Sequence, residues 1–473
     1  MAPVPTAPVA VPPPSTNESV AAIAAGPAAQ DASPRGRSIV RNEALVELKA
    51  RVHEELIHEL DPDQLQGDLS YTSPARRAVE QAAEERLALA DSTLGRQERL
   101  RLASEIADEV LGLGPLEPLL RDATITEVMV NSWDRVYFER GGMIYRADTS
   151  FRDDSHILNI IDKILRPVSR RLDDSSPMVD ARLPDGSRVN AVIPPLAVHG
   201  PSLTIRKFSR DLLTANDLVR LGTLGRSTLD FLSACVRSRA NVLVSGGTGT
   251  GKTTLLNLLS AFIPRAERIV TIEDPAELQV NQDDWVSLET RPPNIEGKGQ
   301  IVQRDLVKNA LRMRPDRIIV GECRGGEAFD MLQAMNTGHD GSLTTIHANS
   351  PRDALSRIEN MVLMAVELPI SAIREQIASG INVIVHISRL QDGSRRVTHV
   401  TEIVGVQGGV VSMHDIFEFQ GRGVDAQGQI VGQLQPTGLR PHVLDRLSQY
   451  GEHVPIEWFL PLVGSATDGV RAS

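Results

Sequence analysis

A glycine-rich stretch that ends in lysine and threonine carries the strongest chemical signal in the sequence. Residues 246–253 read Gly-Gly-Thr-Gly-Thr-Gly-Lys-Thr, which fills the pattern G-x-x-x-x-G-K-[ST] between an apolar run and a helical pattern. Glycines allow backbone N–H groups to turn inward around phosphate oxygens, and the start of a helix adds partial positive charge. The predicted ligand is ATP with Mg²⁺. The predicted nucleotide-binding residues are Gly246, Gly247, Thr248, Gly249, Thr250, Gly251, Lys252, Thr253 and Thr254.

Two residues of this loop, and one residue outside it, have specific predicted roles in phosphate chemistry. Lys252 is expected to reach the β- and γ-phosphates, and the Thr253 hydroxyl is expected to bind Mg²⁺. Glu322 follows an apolar run at 317–321 and is predicted to be the general base that orients and polarises the attacking water. In many P-loop enzymes an Asp directly precedes this base, but this sequence has Gly321 at that position. The water-mediated Mg²⁺ contact therefore falls to Glu322 or to another strand end.

Two further polar residues follow apolar runs that are typical of buried strands. Glu273 comes after residues 268–272, and His347 comes after residues 342–346. The carboxyl ends of parallel strands meet at one edge of a sheet, where ligands bind. We therefore predict catalytic roles for both residues, with Glu273 also holding Mg²⁺ through water. The alternative for Glu273 is a solvated charge in a loop. The alternative for His347 is a hydrogen-bonded histidine in the core.

The elements around these residues predict an α/β fold. From 218 to about 450, apolar strands alternate with helices, which is the signature of a parallel sheet. Residues 96–208 contain two hairpin patterns, around 141–142 and around 184–187, with one amphipathic helix at 157–164 between them. This order predicts an α+β domain ahead of the phosphate-binding domain.

The remaining segments differ from these two domains in composition. Residues 1–38 are rich in Pro and Ala and are predicted to be a disordered tail, because they cannot bury enough apolar surface. Apolar residues spaced three or four apart predict a small helical bundle at 40–95. A polar linker is expected at 209–217, and a C-terminal tail at 451–473.

Composition limits the classes of protein to which the chain can belong. Its 473 residues are enough for two or three domains, and its formal net charge is −11 with 3% aromatic residues. This balance disfavours direct nucleic-acid binding, which pairs basic grooves with stacking side chains. The two cysteines are too few for a disulfide framework. With no secretory signal or apolar spanning segment, the expected location is the cytoplasm.

In combination, the motifs resemble the secretion ATPases of type II, type IV and type IV pilus systems over residues 113–403. The resemblance is carried by the glycine-rich loop, by TIEDPAE at 271–277, by MRPDRIIVGE at 313–322 and by GSLTTIHAN at 341–349. Glycine in place of Asp at position 321 is itself typical of this family.

Within the family, the sequence looks most like the CpaF branch, the motors of tight-adherence (Tad, Flp-type) pili. LPDGSRVN at 183–190 and SLTIRKF at 202–208 carry this finer likeness, and the helical N-terminal extension fits it. The tetracysteine zinc motif of many type II secretion and pilus-extension ATPases is missing, because Cys235 and Cys323 are the only cysteines.

The resemblance implies an architecture and a set of partners. It implies a PAS-like α+β domain that closes over the nucleotide of a RecA-like ATPase domain, in a homohexamer. Arg188 and Arg206 match family arginines that reach the phosphates, where fixed cations stabilise developing charge. The implied partners are pilus platform proteins of the inner membrane, so the chain would lie peripherally at the inner face of the cytoplasmic membrane.

Two other functions stay open at this point. A type IV secretion ATPase that serves a conjugation-like channel shares the chemistry but not the platform. A nucleic-acid translocase of the same ancestry is disfavoured by the net charge of −11 and the scarcity of aromatic residues.

Overall fold

The structure is a computed structural model of the whole chain. It describes residues 34–59, 73–91, 93–168, 170–208, 213–294 and 297–461. Most of the predicted N-terminal tail, residues 1–33, lies outside the described residues, as do 209–212 of the predicted linker and 462–473 of the predicted C-terminal tail. Among the helices in these ranges, none has the length and apolarity needed to cross a bilayer.

The described residues divide into two compact units. Unit 1 comprises Met1–Phe138, Tyr145–Ala181 and Val189–Ile205, and unit 2 comprises Glu139–Ile144, Arg182–Arg188 and Arg206–Ser473. The predicted α/β class is confirmed, with a smaller α+β part ahead of a larger α/β part.

Unit 1 begins with a layer of three helices. These are α1 (Pro34–Glu59), α2 (Pro74–Ala90) and α3 (Arg96–Leu111). Their apolar stripes pack into one core that includes Val52, Leu87 and Ile106. Two predicted boundaries therefore shift: α1 already includes residues 34–38, and α3 packs with the bundle that we predicted to end at 95.

A six-stranded sheet follows this layer. Its strands are β1 (Ile125–Ser132), β2 (Arg135–Arg140), β3 (Met143–Arg146), β4 (Met178–Arg182), β5 (Arg188–Val192) and β6 (Ser202–Arg206), in the order β3-β2-β1-β6-β5-β4. Helix α4 (Glu117–Arg121) precedes β1, and α5 (Asp154–Leu165) lies between β3 and β4. Both predicted strand pairs are neighbours in this sheet, because glycine turns with positive φ at 141–142 and 186 reverse the chain.

The main structure of unit 2 is a nine-stranded sheet with helices. The strands are β7 (Val242–Gly246), β8 (Ile269–Glu273), β9 (Trp285–Glu289), β10 (Arg317–Cys323), β11 (Leu343–His347), β12 (Val383–Arg389), β13 (Arg395–Gln407), β14 (Val410–Val424) and β15 (Ile430–Pro436). The helices are α6 (Ala215–Arg220), α7 (Arg226–Arg237), α8 (Lys252–Ser260), α9 (Gln303–Ala310), α10 (Glu327–Asn336), α11 (Pro351–Ala365), α12 (Ile370–Gly380) and α13 (Val443–Gln449).

The strand order of this sheet is β15-β14-β13-β12-β7-β11-β10-β8-β9. Strands β12 to β9 of this order are parallel, so β7 lies between two parallel neighbours and is buried at every residue. Its side chains alternate between two cores, with Val242 and Val244 on one face and Leu243 on the other.

The sheet is mostly parallel, as predicted, and only the last three strands of the chain depart from this pattern. Strands β13, β14 and β15 pair antiparallel with one another, and β13 pairs antiparallel with β12. The physical reason is the length of the connections. Gly408 and Gly409, both at positive φ, join β13 to β14 directly, and a two-residue loop can only form a hairpin.

The core of unit 2 extends into the predicted C-terminal tail. Phe459 is 1% exposed, and its ring lies 5.3 Å from the ring of Phe231 and 5.7 Å from that of Phe417, measured between centroids. The boundary predicted at 450 therefore lies ahead of a residue that completes the core.

We expect Phe459→Ala to lower the free energy of unfolding of unit 2 by about 3–5 kcal/mol, because the substitution leaves a cavity between aromatic rings. Urea unfolding followed by tryptophan fluorescence measures the loss, because two of the three tryptophans, Trp285 and Trp458, lie in unit 2. The neighbouring Leu460 is 52% exposed, so Leu460→Ala is the matched control and should stay within about 0.5 kcal/mol of the wild type. Equal effects of the two substitutions would contradict the packing role of Phe459.

Candidate nucleotide-binding site

The predicted phosphate loop connects the buried strand β7 to helix α8. Gly249 and Gly251 have φ values of 69° and 97°, a region of backbone conformation that favours glycine. A Cβ atom at Gly246 would lie 2.3 Å from the carbonyl oxygen of Ile387 on β12. The close approach of β12 and the left-handed turns thus both require glycine, and the loop ends at the N-terminus of α8.

Lys252 is folded back over this loop. Its Nζ donates to the carbonyl oxygen of Gly247 at 3.0 Å and lies 3.8 Å from Oε1 of Glu322. Burial lowers the pKa of Lys252, and the nearby Glu322 carboxylate opposes that shift. The ammonium group is therefore within the loop and beside the predicted general base.

Glu322 lies near the end of β10, beside the phosphate loop. Arg324 donates from Nε to its Oε2 at 2.9 Å. The neighbouring backbone is held by Thr345, whose hydroxyl donates to the carbonyl oxygen of Gly321 at 2.7 Å. The carboxylate thus has one cation on each side, Lys252 on the loop and Arg324 on its own strand end.

Glu273 at the end of β8 is a second carboxylate at this edge, and it is buried. Its Oε1 accepts hydrogen bonds from the backbone N–H groups of Glu277 at 2.8 Å and Leu278 at 3.0 Å. Its Oε2 is buried with no hydrogen-bond partner among the described residues. Burial raises the pKa of Glu273 to about 7, against the two backbone hydrogen bonds, which lower it.

Gly321 explains how the two carboxylates fit at one edge. A Cβ atom at position 321 would lie 2.9 Å from Cγ of Glu273. An Asp at this position would therefore displace Glu273 from the place that it occupies. With Gly321 on β10, the buried carboxylate here is that of Glu273, on the neighbouring strand β8.

A cavity of about 620 Å³ at this edge brings most of the predicted site together. Its lining includes the predicted residues Arg188, Arg206, Thr248, Gly249, Thr250, Gly251, Lys252, Thr253, Thr254, Glu273, Glu322 and His347. Gly246 and Gly247 form the start of the loop and do not line the cavity. Arg206 ends β6 and is exposed, and His347 ends β11 and is half-buried.

Arg188 is held by an ion pair at the same cavity. Its guanidinium nitrogen lies 2.5 Å from Oε1 of Glu277, and its buried Nε has no hydrogen-bond partner among the described residues. Arg188 and Arg206 interact electrostatically, so the two predicted arginines are close neighbours.

Sequence reasoning missed two arginines of the cavity lining, Arg324 and Arg395. Arg395 begins β13 and donates from Nε to the carbonyl oxygen of Gly249 at 3.1 Å. Arg324 could have been found, because it lies two residues after Glu322. No local signal marks Arg395, which is 146 positions from Gly249 in the sequence.

The residues at this edge fit a nucleotide with a divalent cation. Mg²⁺ prefers oxygen ligands, and Thr253 together with the unpaired Oε2 of Glu273 offers a hydroxyl and a carboxylate in one cavity. The glycine loop, the helix N-terminus and Lys252 form the usual cradle for phosphates.

Two family models match parts of the chain. Residues 109–426 match the family model described as type II/IV secretion system protein. Residues 45–111 match the model of the N-terminal domain of type II secretion system protein E.

Relatives of this family resemble the chain over most of their own length. A putative conjugal transfer protein of Mycobacterium tuberculosis is 36% identical over 67% of this chain and 92% of its own length. The type IV secretion system protein PtlH of Bordetella pertussis is 35% identical over 61% and 93%. In the solved structures, the VirB11 ATPase of the Brucella suis type IV secretion system is 32% identical over 61% of this chain and 92% of that chain, with a TM-score of 0.34.

The family predicted from the motifs is therefore confirmed at this level. The match covers the phosphate loop, both carboxylates and the strands that carry them. The chain belongs to the type II/IV secretion system protein family.

Proposed function

We propose that the chain is an ATPase that drives a type II/IV secretion or pilus machine. The observation that carries this proposal is the cavity in which the phosphate loop, Lys252 and two carboxylates converge. A domain that only binds a nucleotide would need only the phosphate loop. The additional buried and semi-buried acids are the groups that hydrolysis requires, for the metal ion and for the attacking water.

In this proposal the loop and its cations bind the phosphates. Backbone N–H groups at the start of α8 contact the phosphate oxygens. The ammonium group of Lys252 gives up its hydrogen bond to the carbonyl oxygen of Gly247 and binds phosphate oxygens instead. Arg188 and Arg206, which also line the cavity, add fixed positive charge. Charge that spreads over the γ-phosphoryl oxygens in the transition state is stabilised by such cations.

Glu322 orients the attacking water in this proposal. Its carboxylate is paired with Arg324, which is 61% exposed and so is free to turn towards solvent. The rearrangement of Arg324 away from Glu322 would free a carboxylate oxygen to accept a proton from water.

Thr253 and Glu273 are the proposed residues that hold Mg²⁺, with Glu273 acting through water. The ion would neutralise charge on the β- and γ-phosphate oxygens. For this role Glu273 must be ionised, whereas its burial favours the protonated form near neutral pH. A positive charge close to Oε2 would favour the carboxylate form. His347, at the next strand end, is proposed to contact the phosphates or their water.

For the machine itself, we propose a motor of Tad/Flp-type pili that works as a homohexamer on inner-membrane platform proteins. The support is the N-terminal region. Residues 45–111 match the N-terminal domain of type II secretion system protein E and precede most of the main family match at 109–426. In this proposal the helical layer contacts the platform at the inner face of the membrane.

A type IV secretion ATPase of a conjugation-like channel is the second candidate. The observation in its favour is that relatives named for conjugal transfer or type IV secretion are covered over nine-tenths of their length by this chain. Both candidates share the proposed chemistry and differ in the membrane partner. Co-purification with a pilus platform protein would support the first, and co-purification with conjugation channel components the second.

We expect Glu322→Gln to reduce steady-state ATP hydrolysis at least about 100-fold while ATP binding is retained, because only the water-orienting carboxylate is lost. Phosphate release and nucleotide fluorescence titration measure the two quantities. Glu457 is an exposed glutamate far along the chain, so Glu457→Gln is the control and should leave turnover unchanged.

The turnover of the wild type should also be unaffected by single-stranded DNA. Stimulation several-fold by DNA would instead indicate a nucleic-acid translocase.

We expect Arg206→Ala to reduce turnover about 10- to 100-fold with a smaller effect on ATP affinity, because fixed cations act most strongly on the transition state. Arg220→Ala removes an arginine that is 77% exposed and pairs within one helix, so it is the matched control. Wild-type turnover together with normal ATP binding in Arg206→Ala would contradict the proposed role of Arg206.

We expect the raised pKa of Glu273 to make folding stability fall as pH rises. The folded chain keeps the proton up to about pH 7, whereas an unfolded glutamate loses it near its ordinary value of 4.5. The wild type should therefore lose up to about 3 kcal/mol relative to Glu273→Gln between pH 4.5 and 7. Urea unfolding of both proteins without nucleotide measures this difference. Parallel pH profiles would contradict the buried, protonated state.

A further inference from the structure

A second group of side chains able to bind a metal ion lies in the antiparallel part of the sheet of unit 2. Glu402 on β13 and His414 on β14 are direct partners in the register of the two strands. His442 lies just before α13. Among the described residues these three are the only group of His, Cys, Asp and Glu side chains that meets the geometry of a metal site.

The potential ligand atoms of this group face one another. Nδ1 of His442 lies 3.0 Å from Oε1 of Glu402, and Nδ1 of His414 lies 3.9 Å from the same oxygen. All three ligand atoms lie within 4.8 Å of one another. A tetrahedral zinc ion with bonds of about 2.0–2.1 Å separates its ligand atoms by about 3.3 Å, so the observed separations need only small side-chain shifts.

Glu402 is positioned as a supported metal ligand would be. Its side chain is 3% exposed, although a buried carboxylate is costly unless it is compensated. Oε2 accepts hydrogen bonds from the backbone N–H groups of His442 at 2.7 Å and Val443 at 3.3 Å. These bonds fix the plane of the carboxylate and leave Oε1 directed at the two imidazole rings.

We propose that Glu402, His414 and His442 bind a divalent transition-metal ion of the zinc class. Two imidazoles and one carboxylate suit Zn²⁺, Co²⁺ or Ni²⁺, whereas Mg²⁺ prefers oxygen ligands, so the site is distinct from the nucleotide site. The side chains of His414 and His442 are 41% and 63% exposed, which gives the ion a path from solvent and leaves the fourth position to water.

The ion would join the hairpin of β13 and β14 to α13, which follows this hairpin in the chain only after β15. It would link β13 and β14 to the start of α13, whose Val443, Leu444 and Leu447 pack into the core of unit 2. A bound ion would thus cross-link the sheet to α13, and binding of the ion would stabilise the folded state.

The test uses the full-length chain after removal of any histidine tag and of bound metal by chelator, in buffer that contains excess Mg²⁺. Calorimetric titration with ZnCl₂ should give one saturable site per chain and a raised thermal unfolding midpoint. Both free cysteines are buried, so thiols should not compete. Co²⁺ should give the visible absorption of a tetrahedral nitrogen and oxygen site. The absence of saturable binding, or an octahedral Co²⁺ spectrum, would overturn the proposal.

Variants assign the site to its residues. His414→Ala, His442→Ala and Glu402→Gln should each weaken Zn²⁺ binding at least about 100-fold, more than an outer-shell partner usually contributes. His399→Ala is the matched control, because His399 also lies on β13 opposite a glutamate, Glu418, on β14. It should bind like the wild type. Wild-type affinity in the three variants, or an equal loss in His399→Ala, would overturn the assignment, and circular dichroism verifies that each variant is folded.

Discussion

Close packing at the carboxyl ends of the parallel strands is the constraint on which the nucleotide site depends. A side chain at Gly246 would collide with the backbone of β12, and one at Gly321 would collide with Glu273. Because both positions are glycine, β7 can end close to β12, and β10 can end close to β8. The phosphate loop, Lys252, Glu322 and the buried Glu273 then share one cavity. The metal-binding and water-orienting roles proposed for the carboxylates both presuppose this spacing.

The parts of the fold that local sequence determines could be predicted. Strand β7 is a short apolar run bounded by turn residues, and the glycine loop after it has few other conformations that suit its pattern. Turns such as Gly141-Gly142 reverse the chain within a few residues, so the hairpins of the six-stranded sheet follow from local backbone chemistry. The position of Glu322 at a strand end follows from the apolar run before it.

The parts that depend on contacts distant in sequence could not be predicted. The burial of Glu273 results from the loop after β8 that folds back over its carboxylate, and nothing in TIEDPAE indicates a pKa near neutrality. Phe459 looks like one apolar residue in a tail until Phe231 and Phe417 are brought beside it. Glu402 and His442 are 40 positions apart, and only the pairing of β13 with β14 brings His414 to them.

In the proposed ATPase, the contact of Arg395 with the carbonyl oxygen of Gly249 would give the antiparallel strand β13 a part in nucleotide exchange. A loop of glycines has high conformational entropy, which nucleotide binding must remove. A guanidinium that holds the loop from β13 removes part of that entropy in advance, so the loop is preorganised for phosphate. In the proposed ATPase, the residence time of the nucleotide would therefore depend on how firmly β13 is held in its sheet, and a change at the far end of this strand would speed or slow the release of product.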